Sequence, residues 1–141
     1  MTGPRRAERG SAIVEFHFLG ILLLVPLVYV LLTVLDVQRA SYGVTQAARE
    51  AGRIYVATGD EAAARLAAGV ALADQGLDAN AADVVFRCSA PPCYQPGAEV
   101  TVSVGTTVPL PFVPAVLGDA VNAQVPVDAT HVSVVDRFRD L

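Results

Sequence analysis

Residues 16–35 read FHFLGILLLVPLVYVLLTVL, twenty positions without a charge when His17 is neutral. As a helix rising about 1.5 Å per residue, the run is about 30 Å long, the thickness of a bilayer's hydrocarbon core. The run is long enough to cross a membrane, and some of the chain's apolarity is expected to sit in lipid. The composition agrees: 53% of the chain is hydrophobic and its mean hydropathy is +0.48, more apolar than ordinary globular usage. Pro26 removes one backbone donor and crowds the carbonyl of Leu22, which predicts a kink that membrane helices tolerate. Ahead of the run stand Arg5, Arg6 and Arg9 against Glu8 alone. Basic residues beside a first span stay in the cytoplasm, so the C-terminal part is expected outside. A cleaved secretory signal fits less well. Its apolar region spans about 7–15 residues, and Asp36-Val37-Gln38-Arg39-Ala40 offers no small-x-small site.

Charge and motif content narrow the function classes. The formal net charge is -4, and the ten basic residues, all Arg, are spread thinly. No basic stripe is offered to a phosphate backbone, so nucleic acid is not an expected partner. No nucleophile elbow, P-loop or HExxH sequence occurs, and no catalytic residue is assigned. His131 has Asp128, Thr130 and Ser133 nearby, but strand neighbours alternate faces, and a lone His on an outer strand is read as solvated. Two cysteines and this distant His are an incomplete set for structural zinc. Neither a metal nor a cofactor is expected.

The junction of basic arm and apolar run is Arg9-Gly10-Ser11-Ala12-Ile13-Val14-Glu15-Phe16. A carboxylate at the mouth of a membrane helix is costly in lipid and usually has a partner or a task. If the chain were cut after Gly10, Glu15 would be the fifth residue of the mature protein. It would then lie one turn from a new α-ammonium group. His17 reads as an interfacial polar residue rather than a metal ligand.

Residues 9–57 resemble the TadE-like family of the Flp/Tad pilus system. The opening Arg-Gly-x-x-x-Val-Glu-Phe is matched by Arg9, Gly10, Val14, Glu15 and Phe16, and a later Ala-Ala-Arg-Glu by Ala47, Ala48, Arg49 and Glu50. The chain departs from the family at His17, Phe18, Leu19 and Gly20, and in placing its proline at Pro26. The resemblance implies cleavage between Gly10 and Ser11 by a prepilin peptidase, an aspartyl membrane protease whose substrate this chain would be. It further implies a role as pseudopilin or minor pilin, with Glu15 and Phe16 serving assembly. The implied partners are the membrane, other pilins or Tad assembly proteins, and further copies of the chain. The alternative is an uncleaved single-pass envelope protein whose outer domain binds a partner or ligand.

Beyond the run the helix is expected to continue. Val37, Ala40, Val44, Ala47, Ala51 and Ile54 recur at three- and four-residue steps, leaving Gln38, Arg39, Arg49 and Arg53 for other faces. This small apolar seam suits either a sheet of the same chain or another copy's helix. Thr58 with Glu61 fits a capping box and Asp60 suits an N-cap. Residues 62–75 favour a second helix that Gly76 is placed to end. Residues 83–88 and 99–104 predict a hairpin, and residues 125–135 a third strand with Pro126 near its start. The apolar, Pro-broken residues 108–117 are either a loop packed on the sheet or an exposed contact surface. Cys88 and Cys93 bracket Ser-Ala-Pro-Pro, and outside the cytoplasm such a pair is expected to be oxidised. The expected architecture is α+β and pilin-like. Residues 1–10 are a cytoplasmic leader, 11–36 a transmembrane helix, 37–57 an extracytoplasmic stalk and 58–141 an extracytoplasmic domain.

Overall fold

The computed structural model describes residues 8–110 and 124–138, with side chains in the first helix from residue 12 onward. Helix α1, Glu8–Thr58, is 51 residues long, about 75 Å at 1.5 Å per residue. It runs unbroken through Pro26. Its threonines return their hydroxyls to the backbone one turn earlier: Thr33 to Tyr29, Thr45 to Ser41 and Thr58 to Ile54, at 2.7–2.9 Å. These three hydroxyls thus find acceptors within the helix itself.

Helix α2, Glu61–Asp74, turns back along α1 after Gly59, whose φ of 73° is left-handed. Asp60 caps it, its Oδ1 accepting from the amides of Ala62 at 2.8 Å and Ala63 at 3.2 Å. The Thr58–Glu61 capping box does not form. The Thr58 hydroxyl is committed to Ile54 and the Asp60 amide, while Glu61 pairs with Arg65 one turn on. At the other end the amides of Gly76 and Leu77 bond to Ala73 and Leu72. Gly76, at φ 67°, supplies the left-handed residue that this closure needs. The Arg39 guanidinium of α1 donates to the exposed Gln75 carbonyl, placing a cation at the negative end of α2.

A short 3-10 turn, Ala79–Ala81, leads into three antiparallel strands in the order β1 (Asp83–Cys88), β2 (Glu99–Pro109), β3 (Gln124–Val134). The register places Val85 opposite Ser103, and Ser103 opposite Thr130. β2 runs five residues beyond the alternating segment read from sequence. Val108 and Pro109 thus belong to the strand, paired with Val125 and Gln124. Pro109 is its last residue, where a missing amide costs least. The remainder of the Pro-broken segment, residues 111–117, lies outside the described residues.

Helices α1 and α2 cover one face of the sheet, giving two layers and an α+β fold. Val100, Val102 and Val104 of β2 are fully buried beneath Ala40, Val44, Ala47, Ala48 and Ala51 of α1 and Ala64, Ala68 and Leu72 of α2. The small seam of α1 is therefore used within the chain, against both the sheet and α2. Two glycines set the spacing. A Cβ on Gly43 would lie 2.6 Å from Leu77 Cδ1, and one on Gly52 would lie 2.5 Å from Ser133 Oγ. Gly52→Leu is expected to separate α1 from β3 and to lower stability by about 1–3 kcal/mol, the usual cost of overpacking. Thermal unfolding of the purified variant checks this, and an unchanged midpoint would contradict the close approach.

Candidate functional site

The side chains of residues 13–35 differ from the rest of the molecule in one respect. Every Val, Leu, Ile and Phe among them is exposed, from Ile13 at 63% to Leu35 at 51%. A helix that is apolar on all faces and packs against nothing matches a lipid environment rather than a core. It is long and apolar enough to cross a bilayer. Within the run Tyr29 and Thr33 are half-buried; Asp36 and Val37 are half-buried beyond it, and full burial starts at Ala40. One continuous helix thus serves two media, and the change coincides with the first charge after the apolar run.

At the start of this segment, the Gly10–Ser11 junction lies in the first turn of α1. The first amides of a helix have no intrahelical acceptor, so this turn opens at little cost. Glu15 follows Ser11 by four residues, one turn further on, with an exposed side chain. Phe16 is 75% exposed, and its ring meets that of His17 edge-on at 6.1 Å. His17 Nδ1 lies 2.9 Å from the carbonyl oxygen of Ile13.

The second motif has a packing explanation. Ala47 and Ala48 are buried to within 1% where α1 packs against α2 and the sheet, while Glu50 reaches Arg53 at 2.5 Å on the exposed side. The Arg53 hydrogen bonds hold the Glu50 carboxyl below its ordinary range. This ion pair is exposed and contributes little to stability.

Cys88 ends β1 and Cys93 lies in the connection to β2. Their sulfurs are 1.98 Å apart, at disulfide distance, with Cα atoms 5.3 Å apart. The loop is closed further by the Ser89 amide bonding the Glu99 carbonyl. Tyr94 from this loop packs edge-on against Tyr55, which also contacts Phe86 at 5.4 Å. Burial, with a smaller contribution from Glu61, pushes the Tyr55 phenol above its ordinary pKa. Replacing both cysteines by serine is expected to lower stability by about 2 kcal/mol, the chain-entropy value for so short a loop. Unreduced mass spectrometry of the wild type should show the pair joined, and two alkylatable thiols would contradict it.

His131 is not the freely solvated residue expected of an outer strand. It is half-buried on the helix-facing side of β3, and its Cδ2 lies 3.4 Å from the Cβ position of Gly52. Ser133 shares that face, whereas Asp128 and Thr130 point away. A groove of about 920 Å³ between α1 and α2 was not anticipated. It is lined by Tyr42, Glu50, Leu66, Val70 and Asp74 among others. The legible signal was Leu66 and Val70, one turn apart and opposite the buried Ala64–Ala68–Leu72 side of α2. Comparison with protein-family models, with characterised proteins and with solved structures finds no match to this chain.

Proposed function

We propose that the chain is a TadE-like pseudopilin or minor pilin acting in assembly of a Flp/Tad-type pilus. Its N-terminus lies in the cytoplasm, α1 crosses the cytoplasmic membrane once, and the α+β domain is extracytoplasmic. A prepilin peptidase removes residues 1–10, and the protein then works by packing, not by turnover. The observation that carries this reading is Glu15, one helical turn after Ser11 at the mouth of a helix exposed on every face. The two matched motifs and the disulfide-distance cysteine pair support it.

The mechanism follows from charge. An unpaired carboxylate in lipid costs several kcal/mol or takes up a proton, whereas an ammonium within reach recovers much of that cost. Cleavage creates such an ammonium at Ser11. Pairing of Glu15 with a neighbour's terminus favours one axial stagger of adjacent helices. Glu15→Gln keeps size and hydrogen bonding but removes the charge. It should be inserted and cleaved yet lose most crosslinking to itself and to other pilins. Glu15→Asp, with a shorter reach, should be intermediate. Equal crosslinking of the Gln variant from matched membranes would remove Glu15 from the mechanism.

A second reading is an uncleaved single-pass envelope protein that binds a partner or ligand through its outer domain. The groove between α1 and α2, with Leu66 71% exposed and Val70 55% exposed, favours it. An N-terminus retained in cells with active peptidase would select this reading.

A further inference from the structure

We propose that the groove between α1 and α2 receives α1 of a second copy of this chain, each copy laying its helix in the other's groove about a two-fold axis along the membrane normal. The proposal names a partner for the outer domain. It rests on α1 being a membrane span and holds with the N-terminus cleaved or retained. The groove has the form of a helix seat. Its α1 wall is a stripe of one-turn steps, Tyr42, Gln46, Glu50, Ile54 and Thr58, while its α2 wall sets exposed Leu66 and Val70 beside the small Ala63 and Ala67. From Tyr42 to Thr58 the stripe is about 24 Å long at 1.5 Å per residue. It lies away from the sheet, whose side of the helix pair is taken by Val44, Ala48, Ala64 and Ala68. Alanines let a neighbouring helix approach closely, and the leucine and valine ridge beside them gains from being covered.

Charge selects the occupant. The charged residues lining the groove, Glu50 and Asp74, are both acidic. Next to it, on the exposed back of α1, stand Arg49 and Arg53, one turn apart. A helix that suits the groove therefore carries a basic stripe, and α1 carries one. The membrane restricts how two copies meet. Both spans cross in the same direction, so a two-fold axis relating them lies along the membrane normal and keeps every residue level with its counterpart. Arg49 and Arg53 of one copy then lie about 1.5 Å and 4.5 Å in height from Glu50 of the other, and the same pairs recur in reverse. Within one chain Glu50 already bonds Arg53, so docking exchanges partners rather than leaving a charge covered and alone. A face about 24 Å by 20 Å, two helix diameters wide, gives roughly 1,000 Å² over both copies, the low end for a specific interface. Confinement of both spans to one bilayer raises their effective concentration and makes up the difference.

The test uses full-length chains in membranes, with an added cysteine as reporter. Cys88 and Cys93 are at disulfide distance, and the chain without an added cysteine is the control for their reaction. Gln46→Cys, on the back of α1, should give a dimer with a short bismaleimide, whereas Val132→Cys, on the opposite face of the sheet, should not. In the Gln46→Cys background, Glu50→Arg and Arg53→Glu should each lower the dimer yield by about tenfold, since like charges then face each other. Coexpression of the two, tagged to differ in size, should restore a mixed dimer to the wild-type yield, because each then supplies what the other lacks. Circular dichroism should match throughout, as both side chains are exposed. Dimer yields indifferent to both reversals, or a mixed pair no better than either variant alone, overturn the proposal. A Gln46→Cys chain that reacts with a maleimide yet crosslinks only to a different protein overturns it too. Intact mass of the same samples reads N-terminal processing separately.

Discussion

Leu72→Ala is expected to lower the unfolding free energy by about 2–5 kcal/mol, the range for truncating a large buried side chain. Leu66→Ala, on the same helix, is expected to change it by less than about 0.5 kcal/mol. Leu72 is fully buried and is the largest side chain to be so among the described residues, whereas Leu66 is 71% exposed. The surroundings make Leu72 sensitive. Alanine and valine dominate the core around it, and short side chains fixed between a helix pair and a sheet have little reach to fill a void. Domains of this size hold about 5–15 kcal/mol in total, so the upper part of the range would leave the variant largely unfolded when warmed. Thermal unfolding of the full chain in detergent, followed by circular dichroism, measures both variants. Equal midpoints would contradict the packing of α2 on α1 described above.

Sequence periodicity carried the secondary structure because each element has one strong local cause. The apolar run and the Ala–Val seam define α1, and Gly59, Asp60 and Gly76 delimit α2 at the positions where left-handed or capping residues are required. Strict alternation located most of β2. What escaped was tertiary. Whether the α1 seam faced its own sheet or another copy was undecided until the fold laid Gly43 and Gly52 against Leu77 and Ser133. A glycine in a helix has no local signature of the neighbour it admits. Asp60 prevailed over the capping box because the Thr58 hydroxyl had a carbonyl of its own to bond. Pro109 concealed the end of β2, since proline reads as a break and is tolerated at a strand's last position. His131 looked solvated on an edge strand because the gap over Gly52 that it fills is created by a helix about eighty residues earlier. At the candidate site, the order of charges, Gly10, Ser11 and Glu15 was legible as a pattern. Its placement on a helix exposed all round required the structure.

The central claim concerns what happens at the Gly10–Ser11 bond, and its expected effect is all or none. The bond lies in the first turn of α1, where backbone amides lack helical partners and the turn opens readily for a protease. Glycine before the bond presents no side chain to an active site, and a bulky replacement there would clash on entry. Without cleavage no ammonium forms at the depth of Glu15, so Gly10→Leu should abolish both processing and charge-dependent association while leaving insertion and the outer domain intact. The direct measurement is the intact mass of membrane-extracted protein, made with a cognate prepilin peptidase that is either active or inactivated. A wild-type mass reduced by residues 1–10 only with the active enzyme, and a full-length Gly10→Leu mass in both cases, is the predicted result. A wild-type chain that keeps residues 1–10 beside an active peptidase would contradict the account.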